Sequence, residues 1–284
     1  MLGEELDSVV SRNVRDALTE DVGTGDLTAG LIDADAVAGA KIVAREHLVL
    51  AGQAWADEVF RQLDDSVIVD WYVRDGDTAD PEDVVCKLVG NTRALLTGER
   101  TALNFLQTLS ATATVTAQYV RAVEGTRTTI LDTRKTLPGL RRAQKYAVRC
   151  GGGSNHRSGL FDAILIKENH VKSAGGITNA IERAQAGADD VPIEVEVESL
   201  EELTQALDAN APRILLDNFS TEDLTRAVQI NDAYGYVKAE LEASGNITLD
   251  NVRQIAETGV DFISIGALTK NVHAADLSML LGID

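Results

Sequence analysis

Two adjacent cations at a strand exit are the first residues that could do chemistry. The run Leu131-Asp132-Thr133-Arg134-Lys135-Thr136 follows an apolar strand pattern and offers two positive charges and two hydroxyls. Gly151-Gly152-Gly153-Ser154-Asn155-His156-Arg157 comes next, then Leu165-Ile166-Lys167-Glu168-Asn169-His170. Nine basic residues stand between Arg134 and Lys172, opposed only by Asp162 and Glu168. The chain as a whole carries a formal charge of −19, so a local cationic stretch needs a reason. A solvated helix face accounts for Arg141, Arg142, Lys145 and Arg149. It does not account for Arg134, Lys135 and Lys167, which sit beside apolar strands. An anionic ligand explains those three better.

Several familiar chemistries are missing. The glycine triplet fits neither the Walker A pattern nor the dinucleotide fingerprint. His47, His156, His170 and His273 show no zinc-ligand spacing, and there is no GxSxG nucleophile elbow. Lys167 ends an apolar strand as a Schiff-base lysine would, so an aldolase is an alternative reading. That chemistry does not require the Arg134-Lys135 and His156-Arg157 clusters.

Positioning these groups calls for a particular set of elements. Apolar runs at Thr129–Asp132, Ala163–Lys167, Ile193–Val197, Arg213–Asp217, Val237–Glu242 and Phe262–Gly266 read as buried parallel strands. Amphipathic patterns at Ile177–Ala186, Leu200–Ala209, Glu222–Val228 and Leu249–Glu257 read as crossover helices, with Ser199, Thr221 and Thr248 as N-caps. This alternation predicts a parallel, barrel-like sheet. Asp132, Lys167, Glu196, Asp217, Glu242 and Ser264 then fall at or near strand C-termini, the end where barrels place their chemistry. Glu194, Glu196 and Glu198 alternate onto one face, and spacing alone does not rank them.

The first hundred residues differ. Ser8–Thr19 reads as a helix, and Val37–Val49, Ser66–Val73 and Val84–Val89 as strand, with Asp75-Gly76-Asp77 as a turn. A separate α+β domain is expected, joined onward by one or two helices over Glu99–Glu124. The stretch from Glu20 to Thr28, rich in Gly and Asp, reads as a turn.

Composition removes further classes. At 44% hydrophobic residues the chain is ordinarily globular, and at 4% aromatics it lacks a base-stacking surface. The negative charge disfavours nucleic acid and anionic lipid, and no apolar run is long enough to span a membrane. Met1-Leu2-Gly3-Glu4-Glu5 shows no leader pattern. Cys86 and Cys150 form no CxxC pair and suit a reduced cytoplasm. Arg outnumbers Lys by 18 to 8. An acidic, lysine-poor surface suits a high-salt interior, the plainer alternative being a soluble acidic protein.

The Asp-Thr-Arg-Lys-Thr and Gly-Gly-Gly-x-Asn-His-Arg segments, with Gly98-Glu99-Arg100, Glu194–Glu198, Leu216-Asp217-Asn218, Glu242–Gly245 and Ser264–Thr269, resemble the quinolinate phosphoribosyltransferase family. The resemblance runs in the family's order from about Glu20 to Thr269. It implies an N-terminal α/β (α+β) sandwich domain over residues 1–110, with the tail 270–284 packing on it. An open, seven-stranded TIM-like α/β barrel would follow over 111–269, of which six strands are located above. It implies transfer of ribose 5-phosphate from phosphoribosyl pyrophosphate to quinolinate, with loss of CO2, using Mg2+. Arg100, Arg134, His156, Arg157 and Lys167 would line the quinolinate pocket. Lys135 would lie between that pocket and the pyrophosphate, beside Thr133. Glu196 and Asp217 would meet a hydrated Mg2+ and the ribose hydroxyls. Ser244, Gly245, Asn246, Ile265, Gly266 and Ala267 match the ribose-phosphate loops. Lys135, Lys167, Glu196 and Asp217 are the expected catalytic residues.

The resemblance also implies a homodimer, or an assembly of dimers, with each site shared between subunits. A relative acting on nicotinate is the nearest rival, and the number of pocket cations favours a dicarboxylate. A relative that only binds phosphorylated metabolites is disfavoured by the presence of Glu196 and Asp217. Two departures stand out: Ser110-Ala111-Thr112-Ala113-Thr114 replaces Ser-Gly-Ile-Ala-Thr, and Lys270 stands where the family usually has His.

Overall fold

The computed structural model describes residues 2–187, 191–235 and 238–282. Val237, the expected start of the fifth barrel strand, lies outside them, as do Ile283 and Asp284 of the tail. In chain order the elements are α1 (Leu2–Val22), β1 (Val37–Ala44), β2 (Leu48–Val49), α2 (Gln53–Leu63), β3 (Ile68–Trp71), β4 (Thr78–Ala79), β5 (Val84–Asn91) and α3 (Thr92–Ala122). Then follow β6 (Thr129–Leu131), α4 (Arg141–Cys150), β7 (Ile164–Ile166), α5 (Glu168–Ala174), α6 (Ile177–Gly187), β8 (Ile193–Val197), α7 (Leu200–Asp208) and β9 (Arg213–Asp217). The last are α8 (Thr221–Ala233), β10 (Glu240–Ser244), α9 (Val252–Ala256), β11 (Phe262–Ser264), α10 (Ala267–Lys270) and β12 (Leu277–Leu281).

These elements form two compact units, and neither is continuous in sequence. The first joins Met1–Ala117, Thr136–Gly152 and Leu268–Asp284, and the second joins Gln118–Lys135 with Gly153–Ala267. A single boundary between residues 110 and 111 does not describe this division. The reason lies in α4. Its Ala143 and Ala147 are buried in the same apolar cluster as Trp55, Phe60 and Leu106, so α4 folds with the N-terminal elements. Lys145 on that helix is only 3% exposed, so the solvated face expected there does not include it.

In the first unit an antiparallel sheet runs in the order β12-β1-β5-β3. Strand β12 places the tail against β1, pairing Ala44 with Leu277 and Ala40 with Leu281. Helix α2 has no counterpart among the expected elements. Its buried Trp55, Ala56, Val59 and Phe60 recur at the spacing of one helical face. Burying Phe60 alone contributes about 2–3 kcal/mol. The Asp75 carboxylate accepts the first N–H of α2, at Gln53, from the turn that holds Gly76 at φ +93°. Helix α1 continues to Val22, so the turn expected over the Gly- and Asp-rich stretch begins at Gly23. Asp26 closes it by accepting the N–H groups of Thr28 and Ala29.

Helix α3 is one helix and starts at Thr92, seven residues before the expected Glu99. Its unusual hydroxyls serve packing. Ser110 Oγ accepts the Ala51 N–H at 3.0 Å, and Thr114 Oγ1 accepts the Val49 N–H at 2.8 Å. Backbone donors on and just beyond the short strand β2 thus find acceptors.

In the second unit a parallel sheet runs β6-β11-β10-β9-β8-β7. Strands β8 and β9 coincide with the expected runs, whereas β10 lies toward the C-terminal side of its run and includes Ser244. Strands β6 and β7 end the sheet and are not paired with each other among the described residues. Beside β6, among the described residues, a single parallel bridge between Leu131 and Ser154 stands where a seventh strand is expected. Ser199 caps α7 as expected, its side chain accepting from the Glu202 N–H. Ser220 caps α8 in place of Thr221. Asn251, not Thr248, precedes α9, and its side chain accepts the Thr248 N–H.

Candidate active site

The parallel register brings the strand C-termini to one end of the second unit. Ser244 lies opposite Asp217, and Glu196 lies opposite Leu215. At this end a cleft of about 290 Å³ is lined by Thr133, Arg134, Lys135, His156, Arg157, Lys167, Glu196, Asp217 and Ser244. Leu165, Leu215, Glu242 and Ser264 complete the lining.

Loop chemistry places the cations. Asp132, fully buried at the end of β6, accepts from Asn155 Nδ2 at 2.6 Å and from the His156 N–H at 2.9 Å. One carboxylate therefore ties the Thr133-Arg134-Lys135 segment to the His156-Arg157 segment. Thr133 Oγ1 accepts the Lys135 N–H at 3.1 Å, fixing the turn between them. The Arg157 guanidinium donates to the Ala163 carbonyl. Burial, and then the charge of Arg134, lower the Arg157 pKa. Like charges gathered in this way at low exposure favour an anionic ligand. Lys167 Nζ is ion-paired with Glu196, and the Lys167 N–H donates to His170 Nδ1 at the start of α5. A Schiff-base lysine works as a desolvated amine, and Lys167 is instead half exposed and paired.

The three glutamates around β8 separate by depth. Glu196 lines the cleft, and Glu198 lies beyond the strand, exposed, with its N–H donating to Glu202. Glu194 is buried and meets His156 Nε2 at 2.8 Å. Behind it, Arg213 contacts Glu194 at 3.4 Å and Glu242 at 2.6 Å, and its guanidinium lies over the Phe262 ring. Burial, then the Glu194 charge, push the Glu242 pKa up to about 7. Burial, the largest influence on His156, favours its neutral ring. The Glu194 hydrogen bond and the Glu242 charge together outweigh it and raise the His156 pKa.

Two stretches of the chain match the N- and C-terminal domain models of quinolinate phosphoribosyl transferase, over residues 24–110 and 112–280. The chain belongs to the quinolinate phosphoribosyltransferase family. It is 43% identical over 261 residues to a probable nicotinate-nucleotide pyrophosphorylase [carboxylating] of Bacillus subtilis, covering 92% of this chain and 89% of that one. It is 43% identical over 273 residues to the corresponding Mycobacterium leprae protein, covering 94% and 95%. A solved nicotinate-nucleotide pyrophosphorylase of Francisella tularensis superposes with a TM-score of 0.93 at 49% identity, covering 97% of this chain and 96% of that one.

Not every residue expected from the quinolinate phosphoribosyltransferase pattern lines the cleft. Gly245 and Asn246 follow β10 and Ile265 and Gly266 follow β11 in loops, while Ala267 opens α10. Gly245 has φ +99°, and a Cβ there would come within 2.2 Å of Asn218 Oδ1. A Cβ at Gly266 would meet the Lys135 side chain at 3.0 Å. The turn at Gly245 thus requires glycine, whereas at Gly266 the flexible Lys135 side chain would have only to shift. Arg100 lies on α3 in the first unit and is exposed. Lys270 is exposed at the end of α10. The buried Glu194–Arg213 pair is the part that strand patterning does not reveal. Its signal is an arginine that opens one apolar strand opposite a glutamate near the start of its neighbour.

Proposed function

We propose that the protein transfers ribose 5-phosphate from phosphoribosyl pyrophosphate to quinolinate, yielding nicotinate mononucleotide, pyrophosphate and CO2 for NAD biosynthesis. One observation carries this reading within the family: Arg134, Lys135, Arg157 and Lys167 crowd one strand-end cleft, opposite the carboxylates of Glu196 and Asp217. Arg134 and Arg157 suit the two ring carboxylates as planar forks, and Lys167 supplies a third charge. Lys135 is placed to meet pyrophosphate oxygens, and Ser244 with the Gly245-Asn246 and Ile265–Ala267 loops to meet the ribose phosphate.

Glu196 and Asp217 are hard oxygen donors at neighbouring strand ends, which fits a hydrated Mg2+ held through water. When bound, that ion supplies charge neutralisation for the leaving pyrophosphate. The side chains themselves orient and bind. They hold the ring nitrogen toward the anomeric carbon, where the new C–N bond forms as the C–O bond to pyrophosphate breaks. No protein nucleophile is needed. The quaternised nitrogen then stabilises the electron pair left as the adjacent carboxylate departs as CO2, and that carbon takes up a proton from water to complete the product.

The proposed assembly is a two-fold dimer in which Arg100 serves the neighbouring subunit's site. A cytoplasmic location is consistent with the free thiols of Cys86 and Cys150. Among the described residues no helix is long and apolar enough to cross a membrane. Pyrophosphate release, measured with Mg2+ and phosphoribosyl pyrophosphate, tests the reading. Quinolinate should outcompete nicotinate, and equal turnover of nicotinate overturns the substrate assignment.

A further inference from the structure

Glu194 has no role in the transfer chemistry above, yet it is buried, charged and directed at a cleft residue. Its Oε2 is 2.8 Å from His156 Nε2. The other ring nitrogen is engaged too, because the Arg157 backbone N–H donates to His156 Nδ1 at 2.7 Å. A backbone amide can only donate, so Nδ1 must be the acceptor and carries no proton in this arrangement. The ring proton is then on Nε2, where it meets the Glu194 carboxylate. With both nitrogens held by protein, the ring cannot present one to a ligand without breaking a bond already made.

The next residue in the chain is Arg157, whose side chain lines the same cleft. The imidazole thus acts on the cleft through the backbone that carries this guanidinium. Arg213 completes the arrangement. Its guanidinium lies between Glu194 and Glu242, supplying the countercharge that two buried carboxylates need. Ligand-type atoms of His156, Glu194 and Glu242 do converge within 4.8 Å, a spacing a metal ion could use. A protonated Nε2 has no lone pair to give, and Arg213 already holds the countercharge.

We propose that Glu194 is a positioning residue that fixes His156 as its Nε2-protonated neutral tautomer, so that His156 sets the Arg157 backbone and aims its guanidinium at the substrate. The last clause rests on the quinolinate reading; the tautomer does not. Its readout is nitrogen-15 NMR of ring-labelled histidine at mildly alkaline pH, with the His156 signals assigned by their loss in His156→Phe. The expected result is a protonated Nε2 and an unprotonated Nδ1. A ring protonated on Nδ1 overturns the proposal.

The positioning role is read from two Glu194 variants in steady-state kinetics. Glu194→Gln keeps an acceptor for the Nε2 proton, and Glu194→Met keeps the length without one. The quinolinate KM should stay within about threefold for Gln and rise about tenfold for Met, the loss of one buried hydrogen bond, with kcat changing less. An equal rise in both variants overturns the role, since charge rather than the acceptor would then matter. If the Met variant does not fold, the wild-type tautomer and the Gln kinetics decide. If the wild type does not turn over quinolinate at all, the substrate reading falls, and the tautomer is still decided by NMR.

Discussion

Glu194 and Glu196 stand two residues apart on one face of β8, yet they occupy different layers of the second unit. The lower layer is closed. Glu194 and Glu242 are buried and face the Arg213 guanidinium, and Glu194 also holds the His156 ring. The upper layer is open. There Glu196 meets Lys167, whose side chain is 48% exposed, and Arg134 and Arg157 repel each other beside them. In the lower layer removing a charge strands its partner away from water, so the cost is borne by folding. In the upper layer the partner returns to water, so the cost is borne by ligand binding and turnover. One strand therefore separates a closed layer, which reaches the cleft only through His156, from an open layer that lines it, by a single side-chain repeat.

The contrast is broken most severely from the upper layer. Lys167→Ala should lower kcat/KM for quinolinate by roughly a few hundredfold, about 3–4 kcal/mol of transition-state stabilisation, while melting hardly changes. A large fall in melting temperature instead would show that Lys167 holds the fold. The dimer proposal adds a sharper version. Arg100→Ala and Lys167→Ala homodimers should both be nearly inactive. After verified subunit exchange at equal proportions, roughly a quarter of sites should be intact. No recovery would confine Arg100 to its own chain.

In the lower layer, Glu242→Ala should destabilise folding by about 2–5 kcal/mol, because it empties a fully buried side-chain position and removes the acceptor nearest Arg213. Urea melts at neutral pH measure this. Glu242→Gln should behave differently. Burial holds the Glu242 carboxyl protonated up to about pH 7 in the folded protein, above its ordinary value of 4.5. The folded state then binds more protons than the unfolded state between those values. Its contribution to stability is full below the lower value and is lost as pH rises through the upper one. Gln stays neutral, so the wild type should lose stability relative to Glu242→Gln across that window, on the order of 1.4 kcal/mol for each pH unit crossed. A constant difference between the two would show that Glu242 is ionised throughout.

The smallest effect concerns the surface rather than either layer. With a formal charge of −19, the melting temperature should rise from low to molar KCl, where the screening length is about 3 Å. A flat or falling curve removes the high-salt reading.

The sequence by itself determined the kind of chemistry and the strands that carry it. Arg134, Lys135, Arg157 and Lys167 sit in long, unusual motifs, and a parallel strand buried on both faces cannot avoid an apolar run, so β8 and β9 were legible to the residue. Short helices and caps were less so. Helix α2 hides its single apolar face in a stretch without strong punctuation, and its start is satisfied by Asp75, more than twenty residues away. Only the tertiary structure decided that α4 folds with the first unit, since Ala143 and Ala147 show their partners only once the chain has packed. It also separated by depth the glutamates near β8, among which the resemblance chose Glu196 and spacing chose none. Period-two alternation assigns a side chain to a face, but depth along the strand depends on which residues the neighbouring strands place beside it. Arg213 on β9 draws Glu194 into the closed layer, and Lys167 meets Glu196 in the open one.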